Sequence, residues 1–135
     1  MALLNWNSTY SVNVKEIDLQ HQKLVNLINE LHESMKAGKG KEAMGKVLTE
    51  LANYTKFHFK YEEDLFKKTM YPDSMVHTLQ HQNLVKQVVD FINQFQKGEK
   101  LLTMDLMNFL KKWLMDHIVG MDKKYSNHFN AKGIN

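Results

Sequence analysis

Cysteine is absent from the 135-residue sequence. The chain therefore forms no disulfide bond and offers no thiolate ligand to a metal ion. This composition fits a cytoplasmic protein, and we expect that localisation.

Arginine is absent as well, since all eighteen basic residues are lysine. Bidentate contacts to phosphates and bases favour the planar guanidinium group of arginine. The lysines are also interleaved with acidic residues rather than clustered. Despite the net charge of +3, we expect no nucleic-acid partner.

Long apolar runs are missing too. No stretch approaches the ~20 apolar residues that a membrane helix needs, and the first residues lack the basic and apolar regions of a signal peptide. We expect no membrane insertion. The length predicts a single domain over residues 1–135.

Proline and glycine are scarce, with one and six residues respectively, so the chain has few breaks. The clear ones are 36–41 (KAGKGK), 68–74 (KTMYPDS) and 96–103 (QKGEKLLT). The segments between them carry apolar residues at helical spacing. We predict an all-α fold, an up-down-up-down antiparallel four-helix bundle with an N-terminal arm and a short C-terminal helix. The arm spans 1–12, and the helices span roughly 14–37, 41–67, 74–96 and 103–122.

Helix ends are predicted from capping residues. Asp73 or Ser74 and Thr103 are candidate N-caps, whereas Gly38 and Gly98 are candidate C-terminal stops.

Histidine lies on the apolar stripe of every predicted helix. His21 and His77 stand near helix starts, and His58 and His117 near helix ends. In an antiparallel bundle these four positions meet at one end, and His81 lies one turn from His77. Each buried imidazole needs partners for both ring nitrogens, and a metal supplies one of them. The cluster therefore predicts a metal centre, whereas His32 and His128 fall outside it and are read as surface residues.

Two carboxylates complete the candidate site. Glu62 lies one turn after His58, but Asp122 lies five residues after His117, which an ideal helix would not aim at the same point. We predict a widened turn near Gly120, such as a π-bulge. Five imidazoles and two carboxylates exceed one tetrahedral zinc and suit two octahedral ions bridged by the carboxylates. Iron is the best match, although ligand type alone does not exclude manganese or zinc.

Four segments together resemble a bacterial hemerythrin: IDLQH (17–21), HFKYEE (58–63), YPDSMVHTLQH (71–81) and WLMDHIVGMD (113–122). The resemblance implies a di-iron centre with an oxo or hydroxo bridge. One iron would be held by His77, His81 and His117, and the other by His21 and His58. Glu62 and Asp122 would bridge them.

The resemblance also implies a function, which is reversible O2 binding as a hydroperoxide at the iron held by two histidines. Leu114, Trp113 and Ile118 would line the O2 pocket. Phe66 departs from the family pattern, because methionine is common at that position. Trp6 and Tyr10 would belong to an arm packed along the bundle, and the 122–133 tail is read as a solvated terminal helix.

The ligand types favour an oxygen carrier or store over an enzyme. Carboxylate-rich di-iron oxygenases use two E-x-x-H motifs, and this chain contains none. The alternatives are a di-iron oxidase or peroxidase, a sensor of O2, redox state or nitric oxide, and a metal-free interaction bundle. The acceptor, an oxygenase or an electron-transfer partner, is not identified by the sequence. Four side chains could hydrogen-bond to the ligands from outside: Asp18, Gln20, Glu63 and Gln80.

Overall fold

The computed structural model describes residues 3–98 and 104–135. Its four long helices are α1 Lys15–Lys36, α2 Lys41–Thr69, α3 Ser74–Gln96 and α4 Met104–Gly120. A 3-10 helix at Asp122–Tyr125 leads into a short α5, Ser126–Ala131, and a further 3-10 turn spans Ser8–Tyr10 in the arm. The predicted all-α four-helix bundle is confirmed, and no strand occurs in the described residues. Within the same ranges, no helix combines the length and apolarity needed to cross a membrane.

Two apolar clusters hold the bundle together. The larger one runs along its length and includes Leu24, Leu51 and Leu114, all buried. The smaller one closes one end and includes Ile17 and Phe66. α2 packs between α1 and α3, and α1 also contacts α4. Because the aliphatic side chains recur every three or four residues, each helix presents one apolar face to this core.

The two clusters are separated by a buried polar layer. On α1, His21 lies between Ile17 of the smaller cluster and Leu24 of the larger one. On α2, Glu62 precedes Phe66 of the smaller cluster by one turn. A polar layer enclosed by apolar side chains is costly unless its groups are paired. This layer is the candidate site.

Glycine ends two helices as predicted. Gly38 adopts a φ of +67°, and its N–H donates to Met35 O at 3.1 Å while Lys39 N–H donates to Ser34 O at 3.1 Å. This pair of bonds is the Schellman motif. Gly98, with a φ of +80°, ends α3 in the same left-handed region.

The predicted N-caps fare less well. Asp73 occupies the N-cap position of α3, but its side chain makes no capping hydrogen bond. Thr103 lies outside the described residues.

Met70 ends α2 with a φ of +54°, a left-handed conformation that is strained for a residue with a Cβ. Its side chain is 78% exposed, so little packing is lost on truncation. We expect Met70→Gly to raise the free energy of unfolding by roughly 0.5–1 kcal/mol, measured by urea denaturation. Met75→Gly is the matched control, because this exposed methionine lies in the first turn of α3, where glycine relieves no positive φ and should not stabilise the protein. Equal effects at both positions would contradict the strain argument.

The prediction of a π-bulge near Gly120 is wrong, although the chain does depart from an ideal helix there. α4 ends at Gly120, Met121 N–H donates to His117 O at 2.9 Å, and a 3-10 helix begins at Asp122. The departure from an ideal helix therefore comes from helix termination rather than from an inserted residue. The tighter 3-10 turn brings Asp122 back to the side of His117.

The C-terminal tail is not a solvated helix, which corrects another prediction. Tyr125 and Phe129 are fully buried and stack at 4.5 Å within the smaller cluster. Asn130 Nδ2 donates to Asn13 O at 3.0 Å and ties α5 to the arm. The aromatic pair is one helical turn apart, and the lysines beside it hide that short apolar face in the sequence.

His32 and His128 are not surface residues either. His32 is 7% exposed on α1, and His128 is half-buried, with Nε2–H donating to Thr69 O at 2.9 Å. Both lie on helix faces that helix packing covers. Neither joins the polar layer described above.

Candidate metal centre

Seven side chains converge in the polar layer and form two overlapping groups. In each group one ligand atom per residue lies within 4.8 Å of all the others. The first group contains Glu62, His77, His81, His117 and Asp122, and the second contains His21, His58, Glu62 and Asp122. All seven side chains are buried. Glu62 and Asp122 belong to both groups, so the two carboxylates connect them.

Helical spacing positions most of these groups. His58 and Glu62 are one turn apart on α2, as are His77 and His81 on α3. Side chains four residues apart project from the same face, so each pair points into the bundle together. His21 on α1 completes this part of the layer, with its ring centroid 4.6 Å from that of His58.

Glu62 lies between histidines of two helices. Its Oε1 is 3.3 Å from His58 Nε2 and 3.2 Å from His81 Nε2. Those two rings belong to different groups, so a single carboxylate oxygen faces both.

Asp122 divides its oxygens between the groups. Oδ1 lies 2.8 Å from His77 Nε2 and 3.0 Å from His117 Nε2, whereas Oδ2 lies 3.0 Å from His21 Nε2. One carboxylate oxygen is therefore directed at each group, which is the arrangement of a bridging ligand.

Several buried inward atoms of the layer make no well-formed hydrogen bond, although some of them face each other at 3.0–3.3 Å. They are His21 Nε2, His58 Nε2, His81 Nε2, His117 Nε2, Glu62 Oε1 and Asp122 Oδ2. Leaving such atoms unsatisfied costs about 1–3 kcal/mol each. Two cations among them would satisfy all six atoms, and nitrogen and oxygen donors in these numbers suit octahedral ions rather than tetrahedral zinc. The residues present fit a pair of iron ions.

Hydrogen bonds from outside the layer orient two of the rings. His58 Nδ1–H donates to Gln20 Oε1 at 2.7 Å, and His81 Nδ1–H donates to Glu63 Oε2 at 2.7 Å. These bonds place the proton on Nδ1 and direct the Nε2 lone pair inward, as metal ligation requires. Gln20 is itself oriented, since its Nε2 donates to Glu16 at 3.1 Å.

Asp18 and Gln80 were the other two candidates for a hydrogen bond to a ligand histidine, and both lie elsewhere. Asp18 binds the arm, accepting from Val12 N at 2.9 Å. Gln80 lines a surface cleft beside His117.

Removing the Gln20 acceptor should weaken the centre without unfolding the protein. Gln20→Leu keeps the volume but leaves His58 free to rotate and to change tautomer. Loss of such an outer partner typically costs 10–100-fold in metal affinity, and we expect that loss in a competition titration against a chelator. Gln87→Leu, at an exposed position on α3, is the control and should bind metal like the unmodified chain. Unchanged affinity in Gln20→Leu would rule out the orienting role.

Burial and charge act together on the ionisable groups. Burial lowers the pKa of His58 to about 4, although Glu62 acts in the opposite direction. The ring is therefore neutral at neutral pH and able to ligate. Burial alone would raise the pKa of Asp122, but His117, His21 and His77 hold that pKa well below its usual range. Burial and Asp122 would raise the pKa of Glu62, but His58 and His81 lower it, so both carboxylates are ionised.

Tyr125 is a site residue that the sequence did not reveal. Its hydroxyl donates to Glu62 Oε2, and its ring stacks on His77 at 5.6 Å. Glu62 thus directs one oxygen at the histidines and the other at a phenol. The spacing of Tyr125 and Phe129 was the available signal, but it indicates burial and not contact with Glu62.

We expect Tyr125→Phe to fold but to be destabilised. The change removes only the hydroxyl, and a buried carboxylate that loses a hydrogen bond costs about 1.5–3 kcal/mol. Urea denaturation of the metal-free protein measures this directly. Tyr61→Phe provides the control, because Tyr61 is half-buried beside the same apolar cluster, whereas the hydroxyl that bonds Glu62 Oε2 is that of Tyr125. A loss no larger than in Tyr61→Phe would show that the Tyr125 hydroxyl bond is unimportant.

The residues predicted to line an O2 pocket lie next to the layer. Trp113 and Leu114 border a narrow void together with Phe59, Leu84 and His117. Ile118 is fully buried in the larger cluster but does not border that void.

Two phenylalanines pack directly on the histidines. Phe59 stacks on His81 at 3.8 Å. Phe66, the position that departs from the family pattern, packs against His77 at 4.8 Å. Two apolar rings of α2 therefore pack against the histidines of α3.

Known proteins resemble this chain in sequence. The family model for the hemerythrin HHE cation binding domain matches residues 12–128. The bacteriohemerythrin of Stenotrophomonas maltophilia (strain R551-3) is 33% identical over 131 residues, covering 97% of this chain and 84% of that protein. The bacteriohemerythrin of Methylococcus capsulatus (strain ATCC 33009 / NCIMB 11132 / Bath) is 35% identical over 132 residues, covering 97% and 100%.

Solved structures of hemerythrins share the fold of this chain. A wild-type hemerythrin superimposes with a TM-score of 0.86 at 34% identity, covering 93% of this chain and 97% of that one. A hemerythrin in which a leucine is replaced by alanine gives 0.88 at 33% identity, covering 95% and 98%. The chain therefore belongs to the hemerythrin family, with bacteriohemerythrins among its relatives.

Proposed function

We propose that the protein binds O2 reversibly, as a carrier or store, at a carboxylate-bridged di-iron centre. The observation that carries the proposal is the unequal size of the two ligand groups. One ion would have five protein ligands and the other four. The ion held by His21 and His58 would therefore have one protein ligand fewer than the other ion.

Coordination numbers turn this inequality into an open position. An octahedral ion takes six ligands, and one oxo or hydroxo bridge adds one to each group. The group of His77, His81 and His117 is then complete, whereas the group of His21 and His58 lacks one ligand. O2 would occupy that position. The iron pair would supply two electrons and a hydroxo bridge one proton, which together convert O2 reversibly to a hydroperoxide.

The surroundings favour binding over further reaction. Trp113, Leu114 and Ile118 are buried beside the layer and keep water away from it. Exclusion of water slows protonation and release of a reduced oxygen species. The ligand set also contains more imidazoles than carboxylates, which gives less support to the high oxidation states that substrate oxidation requires.

The experiment is iron analysis combined with visible spectroscopy on one sample. After anaerobic reduction, the protein is cycled between air and argon. Two irons per chain, with a charge-transfer band that appears in air and fades under argon, is the expected result. Irreversible oxidation within one cycle would favour a di-iron oxidase, a peroxidase or a sensor, and absence of iron would refute the proposal.

Two buried histidines of α1 provide a matched pair of variants. His21→Ala removes a ligand of the proposed open iron, so the band should be lost. His32→Ala alters a buried histidine that lies outside both ligand groups, and its band should persist. Loss of the band in both variants would point to damage of the helix rather than of the centre.

A further inference from the structure

An aromatic pair in the N-terminal arm connects the proposed centre with the protein surface. The ring centroids of Trp6 and His21 are 6.3 Å apart, and those of Trp6 and Tyr10 are 5.7 Å apart. His21 is buried, whereas Trp6 and Tyr10 are both partly exposed. The three rings form a continuous path from a ligand of the proposed open iron to solvent.

Hydrogen bonds on both sides of the pair hold this path in place. Upstream, Leu4 N–H donates to the Asn29 side chain at 2.8 Å, and Asn29 Nδ2 donates back to Leu4 O at 2.9 Å. Downstream, Val12 N–H donates to Asp18 at 2.9 Å. Between these anchors both rings pack against the larger apolar cluster. These hydrogen bonds and this packing therefore fix the distances between the rings.

Indole and phenol are the aromatic side chains that lose an electron most readily. Electron transfer slows exponentially with the gap between groups, so two short steps are faster than one long step. The phenylalanines that touch the histidines, Phe59 and Phe66, are too hard to oxidise to serve as intermediates.

A second pair of oxidisable rings leads away from the centre. It consists of Tyr125 and Tyr71, whose ring centroids are 6.4 Å apart. Both of these rings are buried, so an oxidised ring on this route stays out of reach of a dissolved reductant. Of these two routes, the arm is the one whose rings are partly exposed.

We propose that Trp6 and Tyr10 relay single electrons from the surface to the His21 side of the centre. The relay lets the protein reduce hydrogen peroxide at the expense of a small one-electron donor, of the ascorbate or phenol class. This inference rests on the iron centre of the proposed function. Because the electrons for peroxide come from the arm, iron need not stay in the high oxidation states that the imidazole-rich ligand set disfavours.

One hydrogen peroxide takes up two electrons and two protons, its O–O bond breaks, and two waters form. Each electron leaves Tyr10 by way of Trp6, and the phenol proton of Tyr10 goes to solvent. The donor AH2 returns one hydrogen atom to Tyr10 and becomes AH•. The sum is H2O2 + 2 AH2 → 2 H2O + 2 AH•.

The test is electron paramagnetic resonance of the iron-loaded, fully oxidised protein, frozen within seconds of mixing with hydrogen peroxide. A narrow organic-radical signal is expected, and added ascorbate should remove it. Trp6→Phe keeps the ring packing but interrupts the path at its first step, so it should lose the signal. Tyr10→Phe leaves Trp6 oxidisable, so its signal should change from that of a tyrosyl radical to that of a tryptophanyl radical. Tyr54→Phe removes a half-buried phenol of α2 that is not on the path, and its signal should remain. Iron content and circular dichroism of every variant must match those of the unmodified protein. If Trp6→Phe fails this check, the change from a tyrosyl to a tryptophanyl signal in Tyr10→Phe serves alone.

Each other outcome has a defined meaning. A signal that is unchanged in Trp6→Phe and Tyr10→Phe but is lost in Tyr125→Phe assigns the route to Tyr125 and overturns the relay. Two irons with a reversible O2 band but no radical overturns the relay and leaves the proposed function intact. Absence of iron overturns both. Mass spectrometry gives an independent readout, because peroxide without a donor should oxidise Trp6 or Tyr10 before other aromatic residues.

Discussion

Glu62→Ala should abolish binding of both metal ions. Its Oε1 faces a histidine of each ligand group, and the carboxylate belongs to both groups. The variant therefore removes a charged ligand from each ion at once. It also leaves the imidazoles with one carboxylate fewer to balance two cations. We expect iron content near zero and no charge-transfer band.

The two residues after Glu62 form a graded series of controls. Glu63 is a partly exposed residue that accepts from His81 Nδ1 and does not itself belong to either ligand group. Glu63→Ala should lower metal affinity about 10–100-fold, the effect of losing an outer hydrogen bond. Asp64 is 59% exposed and pairs with Lys60 at 3.0 Å, so Asp64→Ala should leave iron binding unchanged.

Iron analysis after gel filtration measures all three variants in one experiment, with a chelator titration for those that retain metal. The three changes remove similar charges from consecutive positions of one helix, so a general electrostatic or helix-propensity effect would act on all of them. Retention of both ions by Glu62→Ala would show that Glu62 is not a bridging ligand. Equal losses in all three would show that the effect is not specific to the centre.

Removing the iron should lower the thermal stability of the protein by roughly 10 °C or more. Without cations, six of the inward histidine and carboxylate atoms of the polar layer have no well-formed hydrogen bond although they are buried. A ligand that binds only the folded state stabilises it by about 4 kcal/mol when present at a thousandfold excess over its Kd. For a domain of this size, each kcal/mol corresponds to about 3–4 °C in Tm.

The measurement is differential scanning calorimetry before and after anaerobic chelation of the reduced protein, followed by addition of Fe2+. Recovery of the original Tm on addition of Fe2+ is expected. Glu62→Ala serves as the control, because a chain that binds no iron should show the same Tm with and without the chelator. A Tm of the unmodified protein that does not respond to chelation would mean that the polar layer is satisfied without metal.

Much of this architecture follows from local spacing. The apolar stripes predict four helices, and the pairs His58–Glu62 and His77–His81 meet because residues four apart share a helix face. Such contacts depend on helix geometry alone, which is the same wherever the helix packs. Gly38 and Gly98 end helices for a similarly local reason, since both need a positive φ.

Other features depend on how the chain ends and folds back. Asp122 reaches the layer because α4 terminates and a 3-10 helix follows, whereas the spacing favoured a π-bulge. Tyr125 bonds Glu62 across 63 residues of sequence. No periodicity encodes such a contact, because it is set by the direction of the chain after its last long helix.

What the sequence alone determined was therefore the bundle and the level at which its histidines meet. Tertiary structure decided which polar groups surround them. It selected Gln20 and Glu63 from several candidates, buried His32, and placed Trp6 against His21. The physical reason is range: helical periodicity acts over a few residues, whereas these contacts join segments whose distance is set by packing of the whole core.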